Sequence, residues 1–280
     1  MPPAPDPAQQ AERAARFGAL HVPGTPLVMP NAWDCGSARL FAAIGCQAIA
    51  TTSGGFAASQ GRLDGAMTRD EVLEHCGRLA SSVDVPVSAD LENCFADDPE
   101  GVAETITAAL GEGLAGGSVE DYTRNRDDPI YELAYAVDRV RAAAEAAHAG
   151  PVPFVLTARA ENYLHGREDL ADTIARLQAY QEAGADVLFA PRVVDEGELG
   201  QLLAEVDRPV SVLVTPGAPA LDQLAELGVA RISVGGAVAA ASYGFAVAAV
   251  TELRENGTCN YWDLAGTVRT AMQAAFDKPA

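Results

Sequence analysis

The stretch VDVPVSADLENCF, Val83 to Phe95, decides how the chain is read. It opens as a short apolar run and closes on Asp90 and Glu92, two residues apart. In an extended strand that spacing puts both carboxylates on one face. Two neighbouring anions do not belong in a core. The run is therefore a buried strand whose C-terminal end opens on solvent or on a cation.

The same layout recurs along the chain. Strands are expected at LVMPNAW, AIATTS, VPVSADLE, GSVED, FVLTARA, VLFAPRV, PVSVLVT and RISVGG. Between them lie segments rich in Ala, Leu, Glu and Arg with apolar residues at helical spacing, such as Leu170, Ile174 and Leu177. Gly45, Gly113, Gly184 and Gly228 stand where helix C-caps belong. Eight strands alternating with helices indicate an α/β chain folded as a (β/α)8 TIM barrel. An open doubly wound sheet is the rival; no GxGxxG follows the first strand to support its dinucleotide-binding form. No Pro/Gly/Ser-rich linker divides the chain, so residues 1–280 are expected to form one domain, with a flexible Pro/Ala tail over 1–8. Helical segments near 237–256 and 261–276 follow the eighth strand. That is one helix more than a barrel needs. The extension, about 257–280, is expected to pack on a neighbouring subunit of a homo-oligomer.

The chain of 280 residues is 49% hydrophobic, ample for a large core, but carries 39 Asp and Glu against 19 Lys and Arg, a net charge of -20. Such a surface repels nucleic acid and anionic membranes. An anionic substrate would need a local island of positive charge, from a metal or from arginines. No stretch approaches the roughly 20 apolar residues of a membrane span. The N-terminus lacks the apolar core of a secretory signal. The five cysteines, odd in number and without CxxC pairing, fit a reducing cytoplasm.

Catalytic groups of barrel enzymes sit at the C-terminal ends of strands. There this sequence offers Asn31, Trp33 and Asp34 after the first strand and Ser53, Gly54 and Gly55 after the second. Asp90 and Glu92 follow the third, Glu120 and Asp121 the fourth, Arg159 and Glu161 the fifth, and Arg192 the sixth. Asp64 lies in the loop after the second strand. Oxygen-only ligands of this kind suit Mg²⁺ or Mn²⁺ rather than zinc. Solvated loop acids are the plainer alternative, most of all for Asp64. The backbone N–H groups of TSGG form either an anion nest or an ordinary turn. Arg159 offers a carboxylate-matching fork, or a structural ion pair with Glu161 or Glu120.

The ordered set TSGG, Asp64, ADLE, VEDY, TARAENYL and EAGADVLFAP resembles the isocitrate lyase/phosphoenolpyruvate mutase superfamily over nearly the whole chain. The resemblance implies a barrel that binds Mg²⁺ and a 2-oxo acid or its enolate. It implies Asp90 as the acid touching the metal, with Glu92, Glu120 and Asp64 holding metal-bound waters. Ser53, Gly54 and Gly55 would receive the substrate carboxylate, with Trp33 or Asp34 lining that pocket. Arg159 would contact the substrate's acid groups; Arg192 is a further candidate for substrate binding from its place at the sixth strand end alone, not from the resemblance. It also implies a tetramer or dimer that exchanges a C-terminal helix.

The departures bear on substrate. The lyases carry a Lys-Lys/Arg-Cys-Gly-His loop after the fourth strand, and the mutases a Lys-x-x-Pro-Lys-x-Asn-Ser loop. Here the stretch reads EDYTRNRDDPIY, with neither. Thr51 replaces a lyase tyrosine, and a mutase histidine falls near Pro191. Tyr122, Arg124 or Asn125 are left to position a leaving group or supply a proton, beside Glu120 and Arg159. The expected activity is a Mg²⁺-dependent lyase acting on a C–C bond of a small 2-oxo or 2-hydroxy acid. Phosphonopyruvate hydrolysis or phosphonomutation, and oxo-acid binding without turnover, are the alternatives.

Overall fold

The computed structural model describes residues 6–277. Residues 1–5 of the expected tail lie outside them, while Pro7 and Ala8 already belong to the first helix, α1 (Pro7–Ala19), which Asp6 caps.

The sheet is wholly parallel and closes on itself through one interrupted strand. β1 (Leu27–Val28) and β2 (Asn31–Ala32) are successive halves of the first stave, separated by Met29 and Pro30. β1 pairs with β9 (Arg231–Ser233), with Leu27 opposite Arg231. β2 pairs with β3 (Ile49–Thr51), with Asn31 opposite Ala50. Between them run β4 (Val87–Ala89), β5 (Gly116–Glu120), β6 (Val155–Arg159), β7 (Val187–Phe189) and β8 (Val210–Leu213), each paired with its neighbours in chain order. The eight expected staves are all present. The Asn31 side chain locks the closure at the top. It donates to Thr51 O (2.7 Å) and accepts from the N–H groups of Val234 (3.0 Å) and Gly235 (2.8 Å).

Helices wrap the staves: α2 (Cys35–Ala43), α3 (Ser53–Ser59), α4 (Arg69–Ser82), α5 (Pro99–Gly111), α6 (Leu133–His148), α7 (Leu170–Glu182), α8 (Glu196–Glu205) and α9 (Leu221–Leu227). Five of the many aspartates are helix caps: Asp6, Asp34, Asp98, Asp169 and Asp195 each accept a first-turn N–H. Such a cap stabilises a helix by about 1 kcal/mol, so part of the acidic excess is structural. Leu79, Ile106, Leu156 and Leu177 are fully buried between helices and staves. Each contributes roughly 1.5–3 kcal/mol. At the N-terminal end α1 covers the bore, with Phe17 packed over Gly116, where a Cβ would lie 2.8 Å from the ring. All five cysteines are free.

After β9 come α10 (Ala237–Asn256) and α11 (Trp262–Phe276), within a residue of the helical segments read from sequence. α11 lies against α2 of its own chain, where Arg39 Nε donates to Ala275 O at 3.2 Å. No helix among the described residues is long and apolar enough to cross a membrane.

Candidate active site

Extended pairing in the opening stretch stops at Ala89. Glu92, Cys94 and Phe95 take left-handed backbone angles (φ 51°, 59° and 56°), so the chain turns there instead of continuing as a strand. Asp90 and Glu92 are therefore not two positions on one strand face. They meet because the turn folds back: Glu120 N donates to Glu92 O at 3.1 Å, which sets the turn beside the end of β5. Arg139 on α6, fully buried, fixes the shape of the turn. Its guanidinium donates to the carbonyl oxygens of Asn93 (2.6 Å), Ala96 (2.9 Å), Asp97 (3.0 Å) and Glu120 (3.0 Å). In sequence, Arg139 reads as part of an ordinary solvated helix face; nothing marks it.

Arg159, at the end of β6, is the centre of the cluster. Nη1 lies 3.0 Å from Asp90 Oδ1 and 3.3 Å from Glu120 Oε2, while Nη2 and Nε both reach Glu161 Oε1 at 2.9 Å. The ion pairs weighed for it in sequence are thus all made, and the same guanidinium lines the open cleft. Asp90 is held from its other side, where Oδ2 accepts from Ser53 N (3.1 Å) and its own N–H donates to Thr51 Oγ1 (2.9 Å).

Ser53 and Gly54 open α3, where first-turn N–H groups have no partner within the helix. Thr52 Oγ1 takes that of Gly55 (3.3 Å). Gly54 N–H has no acceptor among the described residues. A Cβ on Gly55 would stand 2.6 Å from Thr52 Cγ2 and 3.0 Å from Trp33 Cβ, so glycine lets α3 approach the first stave. Asp64 comes over Gly54 from the following loop, its carboxylate 3.2 Å from where a Gly54 Cβ would be. Thr52, Ser53, Gly54 and Asp64, with Asp90 and Arg159, line a cleft of about 220 Å³ that runs down into the bore, whereas Trp33, Asp34 and Gly55 lie outside its lining.

The carboxylates outnumber the cations. Asp90, Glu92, Glu120 and Glu161 face Arg159 and, 3.7 Å from Glu92 Oε2, Arg124. Burial, then the charge of Asp90, pushes Glu92 up to about 7. Burial raises Glu120 well above the usual carboxylate range, and Glu161 is raised by burial too. Burial acts to lower Arg159, yet Glu161, Glu120 and Asp90 outweigh it and hold the guanidinium firmly protonated.

Glu92 Oε1 is buried with no hydrogen-bond partner. An orphaned carboxylate oxygen in an under-neutralised acidic cluster fits an added cation. No three His, Cys, Asp or Glu side chains among the described residues form a ready cage. Carboxylate oxygens are hard donors, and the kind of ion their chemistry fits is a hard cation such as Mg²⁺ or Mn²⁺.

The loop after β5 folds over the mouth. Tyr122 bridges to Ile130, and Tyr122 stacks on His165 with centroids 4.0 Å apart. His165 also stands 3.7 Å from Glu161. Arg124, left-handed at φ 63°, bonds to Gly65 O in the loop that carries Asp64. Asn125 turns inward on its own loop, its Oδ1 accepting from Asp127 N at 3.1 Å. Asp34 caps α2, with Ser37 N donating at 2.6 Å, and Trp33 packs on Phe41. Arg192 is exposed at φ 73° and does not line the cleft. Asp121, next to Glu120, is buried structure: it accepts from Tyr180 (2.6 Å), Arg176 (3.2 Å) and Glu161 N (2.7 Å). In sequence, His165 has no marked role and Glu161 is offered only as an ion-pair partner of Arg159. The latter lies two residues beyond Arg159, past the end of β6, and is legible only as its ion-pair partner. The former sits in a turn with no such signal.

Residues 17–254 match the family profile of phosphoenolpyruvate phosphomutase. The crystal structure of a Burkholderia cenocepacia J2315 protein provisionally termed a lyase/mutase is 48% identical, with a TM-score of 0.92 over 97% of this chain and 98% of that one. The 2-methylisocitrate lyase of Escherichia coli K12 is 31% identical over 77% of this chain and 78% of its own. Oxaloacetate decarboxylase 2 of Pseudomonas fluorescens Pf0-1 is 31% identical over 60% of this chain and 57% of its own. The chain belongs to the phosphoenolpyruvate phosphomutase family, within the isocitrate lyase/phosphoenolpyruvate mutase superfamily.

Proposed function

We propose that this protein is a Mg²⁺- or Mn²⁺-dependent lyase that breaks or forms a C–C bond of a small 2-oxo or 2-hydroxy acid through an enolate. The carrying observation is the single cleft lined both by Arg159, paired with Asp90 and Glu120, and by Ser53 and Gly54 at the start of α3. The lyase and decarboxylase relatives act on acids of this class, to judge by their names.

Asp90 would hold the cation directly, and Glu92, Glu120 and Asp64 would hold its waters. When bound, the cation would supply a Lewis acid for the 2-oxo group. The chain's own residues do the rest. The Ser53–Gly55 turn receives the substrate carboxylate on backbone N–H groups. Arg159 keeps its proton throughout and donates to the oxygen on which enolate charge develops, a position fixed in advance by three carboxylates. Arg124 ties the loop after β5 to the Asp64 loop, which excludes water from the cleft. Tyr122, on the loop after β5, would deliver a proton to the enolate carbon that keeps the electron pair of the broken bond, while the other fragment leaves as a carbonyl product or CO₂ past Arg124. The side chain of Asn125 acts only by holding the loop turn.

The exposed apolar residues Phe245, Val247, Val250, Trp262, Leu264 and Val268 on α10 and α11 support a homo-oligomer in which this region packs on another subunit. Light scattering would test that assembly.

Phosphonate chemistry is the second reading, favoured by Arg124 and Arg126 in the loop where the mutases place their lysines. Incubation with phosphonopyruvate, followed by ³¹P NMR, separates the two. A C–C lyase leaves the phosphorus signal unchanged while it cleaves a 2-oxo or 2-hydroxy diacid. Loss of that signal would overturn the C–C assignment. Tight oxalate binding with no turnover of either class would make the protein a binding module.

A further inference from the structure

Beneath the carboxylates the bore is polar. Barrel interiors are usually filled by layers of Val, Ile and Leu. Here Ser88, Ser118 and Thr157 stand two residues below Asp90, Glu120 and Arg159, on the same strand faces. All three line the lower cleft, and Arg231 of β9 closes it.

Arg231 is 4% exposed and lacks a counter-ion. Nε donates to Ser211 Oγ (2.9 Å), Nη2 to Thr157 Oγ1 (3.0 Å), and Nη1 faces His21 Nε2 at 3.2 Å. His21 Nδ1 lies 2.9 Å from Phe17 O, so it carries the proton and leaves Nε2 as an acceptor. Burial, then the charge of Arg231, lowers His21 to about 3, so it is neutral. Every partner is uncharged, and no carboxylate among the described residues is within ion-pair distance. Burial lowers Arg231 to about 9, and the charge acting on it is that of Arg159, another cation. It remains protonated at neutral pH. Three of its five N–H groups are engaged, and one on each terminal nitrogen is left over. A buried cation without a counter-ion is costly. An anion entering through the cleft would relieve that cost.

We infer that Arg231 is an anion-binding residue at the floor of the cleft, and that it receives the distal carboxylate of a diacid substrate. The two-residue drop from Arg159 to Thr157 is about 6–7 Å along the strand. That is comparable with the carboxyl-to-carboxyl reach of a four- or five-carbon diacid. The Ser88, Ser118 and Thr157 hydroxyls leave the width and the hydrogen bonds that such a group needs. The inference rests on the proposed oxo-acid site above it and adds the substrate class: a diacid whose second acid group points down the bore.

Calorimetry in Mg²⁺ with two probes tests it. Oxalate is too short to reach the floor; 3,3-difluorooxaloacetate is a longer diacid. In Arg231→Met, which keeps volume and loses charge, difluorooxaloacetate should bind roughly 10- to 100-fold more weakly, the worth of a charge-assisted hydrogen bond. Oxalate should bind within about threefold of wild type. Ser118→Val narrows the bore without touching Arg231 and should show the same selective loss; it decides the matter if Arg231→Met does not fold. Equal losses for both probes, or no loss for the longer one, would overturn the Arg231 assignment. So would a wild type that binds oxalate but not difluorooxaloacetate. A wild type that binds neither probe contradicts the oxo-acid site itself.

Discussion

Arg159 Nη1 lies 3.0 Å from Asp90 Oδ1, a half-buried contact between side chains 69 residues apart in the chain. It joins the end of β6 to the segment after β4 across the barrel mouth. Removing the arginine would strand Asp90, Glu120 and Glu161 in a poorly solvated cluster. Breaking a buried pair in this way costs about 3–5 kcal/mol. Arg159→Met should therefore lower the free energy of unfolding by that order in urea titrations without metal. Mg²⁺ should restore part of the loss, because the abandoned carboxylates gain a substitute cation. Equal stability with and without Mg²⁺ would detach the cluster from cation binding.

Arg139 carries a different load, serving three carbonyl oxygens of the turn after Asp90 and Glu92 and a fourth, that of Glu120, at the end of β5. Arg139→Met leaves those acceptors unpaired in a buried place, where each can cost 1–3 kcal/mol. A loss of about 3 kcal/mol or more is expected in denaturant titrations. A loss near the ±0.5 kcal/mol typical of surface changes would show that water satisfies the carbonyls instead.

The pattern of legibility follows the physics. The staves were readable because a buried parallel strand needs a short apolar run, and its end needs polar groups. α10 and α11 were readable from helical spacing in an uninterrupted C-terminal stretch. The interruption of the first stave at Met29–Pro30 was not, because closing a ring is a property of all the strands together. Neither was the turn after Ala89. Its left-handed residues are Glu, Cys and Phe rather than glycine, and they are held there by an arginine 47 residues beyond Glu92 in the numbering. Arg231 was hidden for the same reason: RISVGG reads as a strand, and only the closed barrel turns its first side chain inward.

His75 gives the fold an acid limit. Its ring stacks on Phe56 with centroids 3.7 Å apart, and Nε2 is buried without a partner. Burial, then the charge of Arg78, lowers it from 6.5 to about 4. Between those values the unfolded chain binds a proton that the folded chain refuses, so stability falls as pH drops through that window. At pH 5 the cost is roughly 2 kcal/mol relative to pH 7. His75→Phe keeps a stacked ring and should shrink the pH 7 to pH 5 loss by about that amount in urea titrations. Part of the acid sensitivity should remain, because His21 is lowered in the same sense. An unchanged pH 5 loss in the variant would place the proton uptake elsewhere.

The central claim is that the carboxylates after β4 and β5 serve a metal-assisted cleavage of a small oxo or hydroxy acid. The most direct measurement is turnover of a panel of small 2-oxo and 2-hydroxy diacids, followed by ¹³C NMR, for wild type and Asp90→Ala, with Mg²⁺ and with chelator. The account predicts C–C cleavage of at least one diacid that requires the metal and falls at least about a hundredfold in Asp90→Ala. Cleavage that is indifferent to chelator, or that survives in Asp90→Ala, would contradict it.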